Sequence, residues 1–200
     1  HQSGHRVFVS ELHTDQIKNT GAEETAEQGK EVLILETIEM YVSTTLHGSA
    51  KRTGKVMYTL RMKMGEKQYY EKPAEIGKAD GTANRLVLWS ICRALERMQG
   101  KRTILIHTEN TYVASVINQR WVETWERNDW KNSRGNEIKD ADLWKQILEK
   151  SRKMRHDIAA VAGQHEYSDA FAYNMSKINA EYNIFAKVEF EEVTPVHDRC

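Results

Sequence analysis

Residues 81–110 read GTANRLVLWSICRALERMQGKRTILIHTEN, and this stretch decides the fold. The first turn of a helix leaves backbone N–H groups without intrahelical partners, and Thr82 or Asp80 offers the oxygen that caps them. Val87, Ile91, Ala94 and Met98 then recur at spacings of three and four, one apolar stripe on one helical face. Gly100 stops the helix, and TILIHT at 103–108 is an apolar run of strand length. Glu109 stands at its tip. An open α/β sheet carries its functional groups at the carboxyl ends of strands, beside helix N-termini, so Glu109 is a candidate site acid.

Working outward, EVLILETIEMYVST at 31–44 starts with the dense apolar run expected of a buried central strand. GKVMYTLRMKM at 54–64 alternates, Gly65-Glu66 supplies a turn, and KQYYEK reads as the third strand of a meander. Downstream, Val113, Val116, Ile117, Trp121 and Trp125 predict a helix over 111–130. KNSRGNEIK at 131–139 is a loop. ADLWKQILEKSRKM at 141–154 is a helix whose basic end offsets its dipole. DIAAVAG is a short strand, and a last helix capped by Ser168 runs to about Asn183. FAKVEFEEV at 185–193 alternates again and predicts an added strand, for which VFV at 7–9 is a candidate partner. Strands, helix, strand, helices, strand and helix in that order make an α/β domain over 31–180, with extensions at 1–30 and 181–200.

Composition narrows the function classes. The chain has 200 residues, 29% charged and 40% hydrophobic, enough for one domain with a real core. Formal net charge is +0, so no whole-molecule field draws in nucleic acid and any such binding uses a local patch. Two cysteines, Cys92 and Cys200, make no disulfide framework, and a reducing, cytoplasmic setting is expected. No apolar run reaches the ~20 residues of a membrane span, and no signal peptide is read at the start.

Several motifs in their order resemble the type 1 ribonuclease H family. TANRLVLWSICRALE resembles the family helix that opens T-x-N-R and continues to a ligand glutamate. ILIHTENTYV resembles its strand ending T-D-S before a tyrosine. WVETWERNDW with KDADLWKQI is similar to the helix and protruding handle, and SDAFA to the D-x-L-A start of its last helix. The resemblance implies a five-stranded mixed sheet, its first three strands antiparallel. It also implies hydrolysis of the RNA strand of RNA–DNA hybrids with two divalent ions held by four carboxylates. Two close cations need several oxygen ligands to offset their charge and fill their shells.

Position by position, the resemblance places the first-strand aspartate at Glu36, the helix glutamate at Val87, the strand-tip aspartate at Glu109 and the last-helix aspartate at Asp169. A loop histidine that moves protons falls at Gln164, with His165 beside it. His107 shares a strand face with Glu109, whereas Glu39 points away from Glu36's face in a regular strand. Val87 has no oxygen and extends the apolar stripe. An aspartate lengthened to glutamate moves its oxygens by about 1.5 Å, and misplacement on that scale costs on the order of a hundredfold in rate. The expectation is hydrolysis weak or lost, with at most one weakly held Mg²⁺ or Mn²⁺ ion on Glu36, Glu109 and Asp169.

Candidate nucleic-acid contacts are Thr82 and Asn84, by resemblance, and Trp121, Trp125 and Lys131 in the handle. Residues 117–155 hold ten basic and seven acidic residues, a surplus of only three, so contact with hybrid should be weak and salt-sensitive. The same aromatics also read as core packing under a solvated charged face. Three functions stay open: an impaired member kept as a nucleic-acid- or protein-binding module, an active Mn²⁺- or Mg²⁺-dependent hybrid ribonuclease with a rearranged site, and a structural or assembly domain.

Overall fold

The computed structural model describes residues 37–63 and 69–189. Six strands are described: β1 (Thr37–Thr44), β2 (Arg52–Lys63), β3 (Tyr69–Gly81), β4 (Thr103–Thr108), β5 (Asp157–Ala162) and β6 (Phe185–Val188). Five helices accompany them: α1 (Ala83–Glu96), α2 (Thr111–Asn118), α3 (Trp121–Arg127), α4 (Ala141–Met154) and α5 (Ser168–Lys177). The strands form one mixed sheet in the order β5-β4-β1-β2-β3-β6. β1, β2 and β3 are an antiparallel meander, and β4 and β5 run parallel to β1.

Over its described residues, Thr37–Thr44, the central strand alternates, and the apolar run at 32–35 lies outside them. Met40 and Val42 face one way and pack with Val87, Ile91, Ile104 and Ile106 beneath α1. Tyr41 faces the other way and packs with Tyr167, Phe171 and Met175 of α5 and its approach. A strand between two helical layers must satisfy both, and period two does this directly.

The sheet has six strands, not five, because the expected C-terminal strand joins it. β6 pairs antiparallel with β3 from Gly77↔Phe185 to Ala74↔Val188. Gly77 permits the approach: a Cβ there would lie 2.7 Å from the Trp89 ring and 2.8 Å from the Phe185 ring. With that hydrogen in place of a side chain, the Trp89 and Phe185 rings meet at 4.1 Å, tilted by 40°. VFV at 7–9 lies outside the described residues.

Four element boundaries differ from the periodic reading, the first being β3, which runs past Lys72 to Gly81. The helix expected over 111–130 breaks at Arg120, which is left-handed at φ 54°. Asn118 explains the break: its Nδ2 donates to Ala160 O and its Oδ1 accepts from Ala160 N, both at 2.8 Å, so the end of α2 is tied to the edge of β5. The last helix ends at Lys177, and Lys55 Nζ donates to the freed carbonyls of Met175 and Ile178 at 2.9 and 2.6 Å. Ser168 is the first residue of α5 rather than its cap, and its Oγ accepts from His165 N instead.

His156 sits where α4 turns into β5. Its Nδ1 accepts from the Arg102 backbone N–H at 3.2 Å, and its Nε2 is buried without a partner. Burial holds the ring below the ordinary 6.5. The unfolded chain therefore binds the proton more readily, and the stability this group contributes is present above about pH 6.5 and lost as pH falls through the folded value. The unfolding free energy from urea titrations should drop between pH 7.5 and 5.5 by up to about 1.4 kcal/mol per pH unit for each such histidine. The slope should lessen in His156→Gln, and an identical profile in that variant would refute the assignment.

Candidate active site

The site lies at the carboxyl ends of β1 and β4. The parallel register sets Val42 beside Thr108, so the next residues, Ser43 and Glu109, meet at the tip. Ser43 Oγ donates to the Glu109 carboxylate, 2.9 Å from Oε1 and 3.0 Å from Oε2. Glu36 lies outside the described residues. Its neighbour Thr37 pairs with Thr103, at the opposite end of β4 from Glu109. Five further residues at about 3.3 Å each separate the two ends. The β1 side chain beside Glu109 is therefore a hydroxyl, where a carboxylate was expected.

His165 closes the cluster. Its Nε2 lies 3.0 Å from Ser43 Oγ, 2.9 Å from Val42 O and 3.6 Å from Glu109 Oε2. Its Nδ1 accepts from the Tyr167 backbone N–H at 3.2 Å. An accepting Nδ1 requires the proton to sit on Nε2, which donates to Val42 O and toward Ser43. Burial, the largest influence, lowers the ring's pKa against the opposing pull of Val42 O and Glu109, so the neutral form is favoured. Ser, His and Glu meet here, yet not as a nucleophilic triad. The Ser43 hydroxyl hydrogen points to Glu109, and the imidazole has no free lone pair to take it.

Residues 165–167 are held along their length. Arg61 Nη1 pairs with Glu166 at 2.9 Å, and Tyr167 OH donates to Glu71 at 2.9 Å. Arg61 Nη2 donates to Tyr41 OH at 2.6 Å and to Glu39 at 3.1 Å. His107 lies flat on Tyr41, rings 4.4 Å apart, with Nε2 3.3 Å from Glu39 Oε1. Hydrogen bonds from Tyr41 and Arg61 hold Glu39 ionised below the usual range although burial pushes the other way. Glu39 and His107 thus belong to an internal network.

Val87 is 1% exposed within the core under α1. Asp169 is exposed on the first turn of α5, and among the described residues no hydrogen bond or ion pair joins it to Glu109. Among the same residues no three His, Cys, Asp or Glu side chains are grouped to hold a metal ion. The groups next to Glu109 are a hydroxyl and an N–H, both able to donate to its oxygens.

Thr82 caps α1 by accepting from Arg85 N at 3.1 Å. Asn84 Oδ1 accepts from Asn110 Nδ2 at 2.7 Å, which brings the start of α1 to the strand tip. Trp121 and Trp125 are half-buried and lean on each other at 6.4 Å, with Trp125 edge-on to buried Trp144 at 6.0 Å. Their rings serve packing first. Lys131 is exposed, 3.9 Å from Asp129. Ser43 and Asn110 were missed in the sequence. The shared signal was that β1 and β4 must end together, which points from Glu109 to the YVST end of β1.

A family model for RNase H matches residues 36–174. The ribonuclease H of Syntrophomonas wolfei is 32% identical over 117 residues, 54% of this chain and 80% of that protein. That of Caldicellulosiruptor saccharolyticus is 35% identical over 68 residues, 34% of this chain and 47% of that protein, so the span shared with such relatives runs from about half to four fifths of their length. Among solved structures, LC9-RNase H1, a type 1 RNase H with the type 2 active-site motif, superposes with a TM-score of 0.56 at 16% identity, covering 70% of this chain and 71% of that one.

Proposed function

This chain belongs to the RNase H family, and from that premise we propose that it is a member with an impaired hydrolytic site that keeps a weak binding surface for RNA–DNA hybrid. The observation that carries the reading is the Glu109 carboxylate, bonded by Ser43 and approached by His165. The family usually uses divalent metal ions, and the residues present do not fit two of them. Ser43 replaces a charged ligand with a neutral one, and Val87 replaces another with hydrocarbon. Mg²⁺ demands near-ideal oxygen geometry, which two acids without neighbouring ligands do not supply. Glu109 and Asp169 would hold one ion weakly at most.

The binding half of the reading is supported by Thr82, Asn84 and the basic surplus of the handle, with Lys131 exposed on it. A surplus of three charges neutralises about three phosphates, which gives a roughly 40-fold loss of affinity between 50 and 200 mM salt. The expected result is a low-salt gel shift with hybrid that fades on that scale, together with no cleavage of labelled hybrid in Mg²⁺ or Mn²⁺. Cleavage abolished by Asp169→Asn would overturn the impaired reading and establish an active enzyme. Absence of any shift with hybrid, duplex or single strands would leave the assembly role in its place.

A further inference from the structure

Two side-chain amides meet where α1 and α2 begin. Asn110 is the N-cap of α2, and its Oδ1 accepts from the Val113 backbone N–H at 2.9 Å. Only an oxygen can accept, so this bond fixes which way the amide faces. Its Nδ2 is thereby turned toward Asn84, whose Oδ1 lies 2.7 Å away. An NH₂ group can only donate, so Asn84 must answer with its oxygen. The orientation of the second amide thus follows from one backbone N–H in the other helix. Asn84 is left with Nδ2 and its two hydrogens, and among the described residues these meet no acceptor. The side chain is half-buried, and Asn110 directly follows Glu109.

We infer that Asn110 is a positioning residue: it holds Asn84 with the NH₂ presented, so this part of the surface takes a ligand atom that accepts hydrogen bonds. On a hybrid duplex such atoms are the purine N3 and pyrimidine O2 along the minor groove. The inference rests on the nucleic-acid reading above and adds the residue that enforces the polarity of the contact. A free asparagine would present oxygen or nitrogen with equal ease and would lose this preference.

The test uses the full chain and the Asn110→Ser variant. Serine caps a helix as well as asparagine does and is too short to reach Asn84. Two probes are titrated at low salt: an RNA–DNA hybrid, and the same hybrid carrying 3-deazapurines, in which the N3 acceptor is a C–H. A net hydrogen bond corresponds to a roughly 3- to 10-fold change in affinity. Wild-type protein is expected to prefer the unmodified hybrid by that factor. Asn110→Ser is expected to bind both probes alike, with an unchanged melting temperature, and to add no loss in an Asn84→Ala background. A purely structural role for Asn110 would shift the melting temperature and weaken both probes equally. Preference retained in Asn110→Ser, or losses that add in the double variant, would overturn the positioning role while leaving hybrid binding intact. A wild-type protein that binds neither probe would overturn the binding reading and this inference with it.

Discussion

A Glu75→Ala variant is expected to lose about 3–5 kcal/mol of folding stability, the usual cost of stripping one partner from a buried ion pair. Glu75 lies on β3, is 1% exposed and faces α1. Arg93 grips it with two bonds, Nε to Oε1 at 2.9 Å and Nη2 to Oε2 at 3.1 Å. Tyr58 OH donates to the same Oε1, and Arg97 Nη1 lies 3.4 Å from it. Burial alone would raise this carboxyl, but the bonds from Arg93 and Tyr58 and the charges of both arginines hold it below the usual range. Arg93 is partly solvated and can turn to water. Arg97, with a side chain 10% exposed, cannot, and it also holds Pro73 O at 3.1 Å. The loss is therefore the cost of a stranded guanidinium more than of a missing attraction. Glu75→Leu combined with Arg97→Met should recover most of it, since a buried pair replaced together by apolar groups is close to neutral. Urea denaturation with an unchanged m-value reads both results. A single-variant loss below about 1 kcal/mol would sink the argument, being no more than an exposed pair contributes.

The second large effect is a gain. Ser43→Asp with Val87→Glu restores a carboxylate to β1 beside Glu109 and another to α1. Position 87 is one turn after Asn84, which already touches Asn110 at the strand tip. A glutamate at a site 1% exposed is costly unless a cation meets it. The double variant should therefore be destabilised without metal and restored by it. At a hundred times its dissociation constant, an ion that binds only the folded chain contributes about 2.7 kcal/mol. The melting temperature of the double variant should rise with millimolar Mn²⁺ while that of wild type stays level, and hybrid cleavage should appear only in the variant. A folded double variant with no metal response would show that the four positions do not converge and would sink the explanation of impairment.

The sheet and α1 were legible because their signals are local. Thr82, the Val87-to-Met98 stripe and Gly100 fix a helix without help from elsewhere, and the alternation of β2 needs only its neighbours. The site was half legible. Glu109 and Val87 fall inside that well-marked stretch. Ser43, the β1 neighbour of Glu109, was not singled out, because VLIL at 32–35 outweighed the alternation of 37–44, and apolar density carries no information about register. Register is set by β1 pairing with β4, a contact between residues more than sixty positions apart. The break at Arg120 was invisible for a similar reason, since Asn118 is drawn off by Ala160 of β5. Period-counting over 111–130 sees only the apolar side chains that both helices share.

The fastening of residues 165–167 sets a clock. His165 can leave the strand tip only if its bonds to Val42 and Ser43 let go together, and Glu166 and Tyr167 are moored to Arg61 and Glu71 on either side. That is a cooperative local opening, slower by orders of magnitude than the nanosecond flips of an unrestrained ring. Proton delivery through this imidazole would wait on each such excursion.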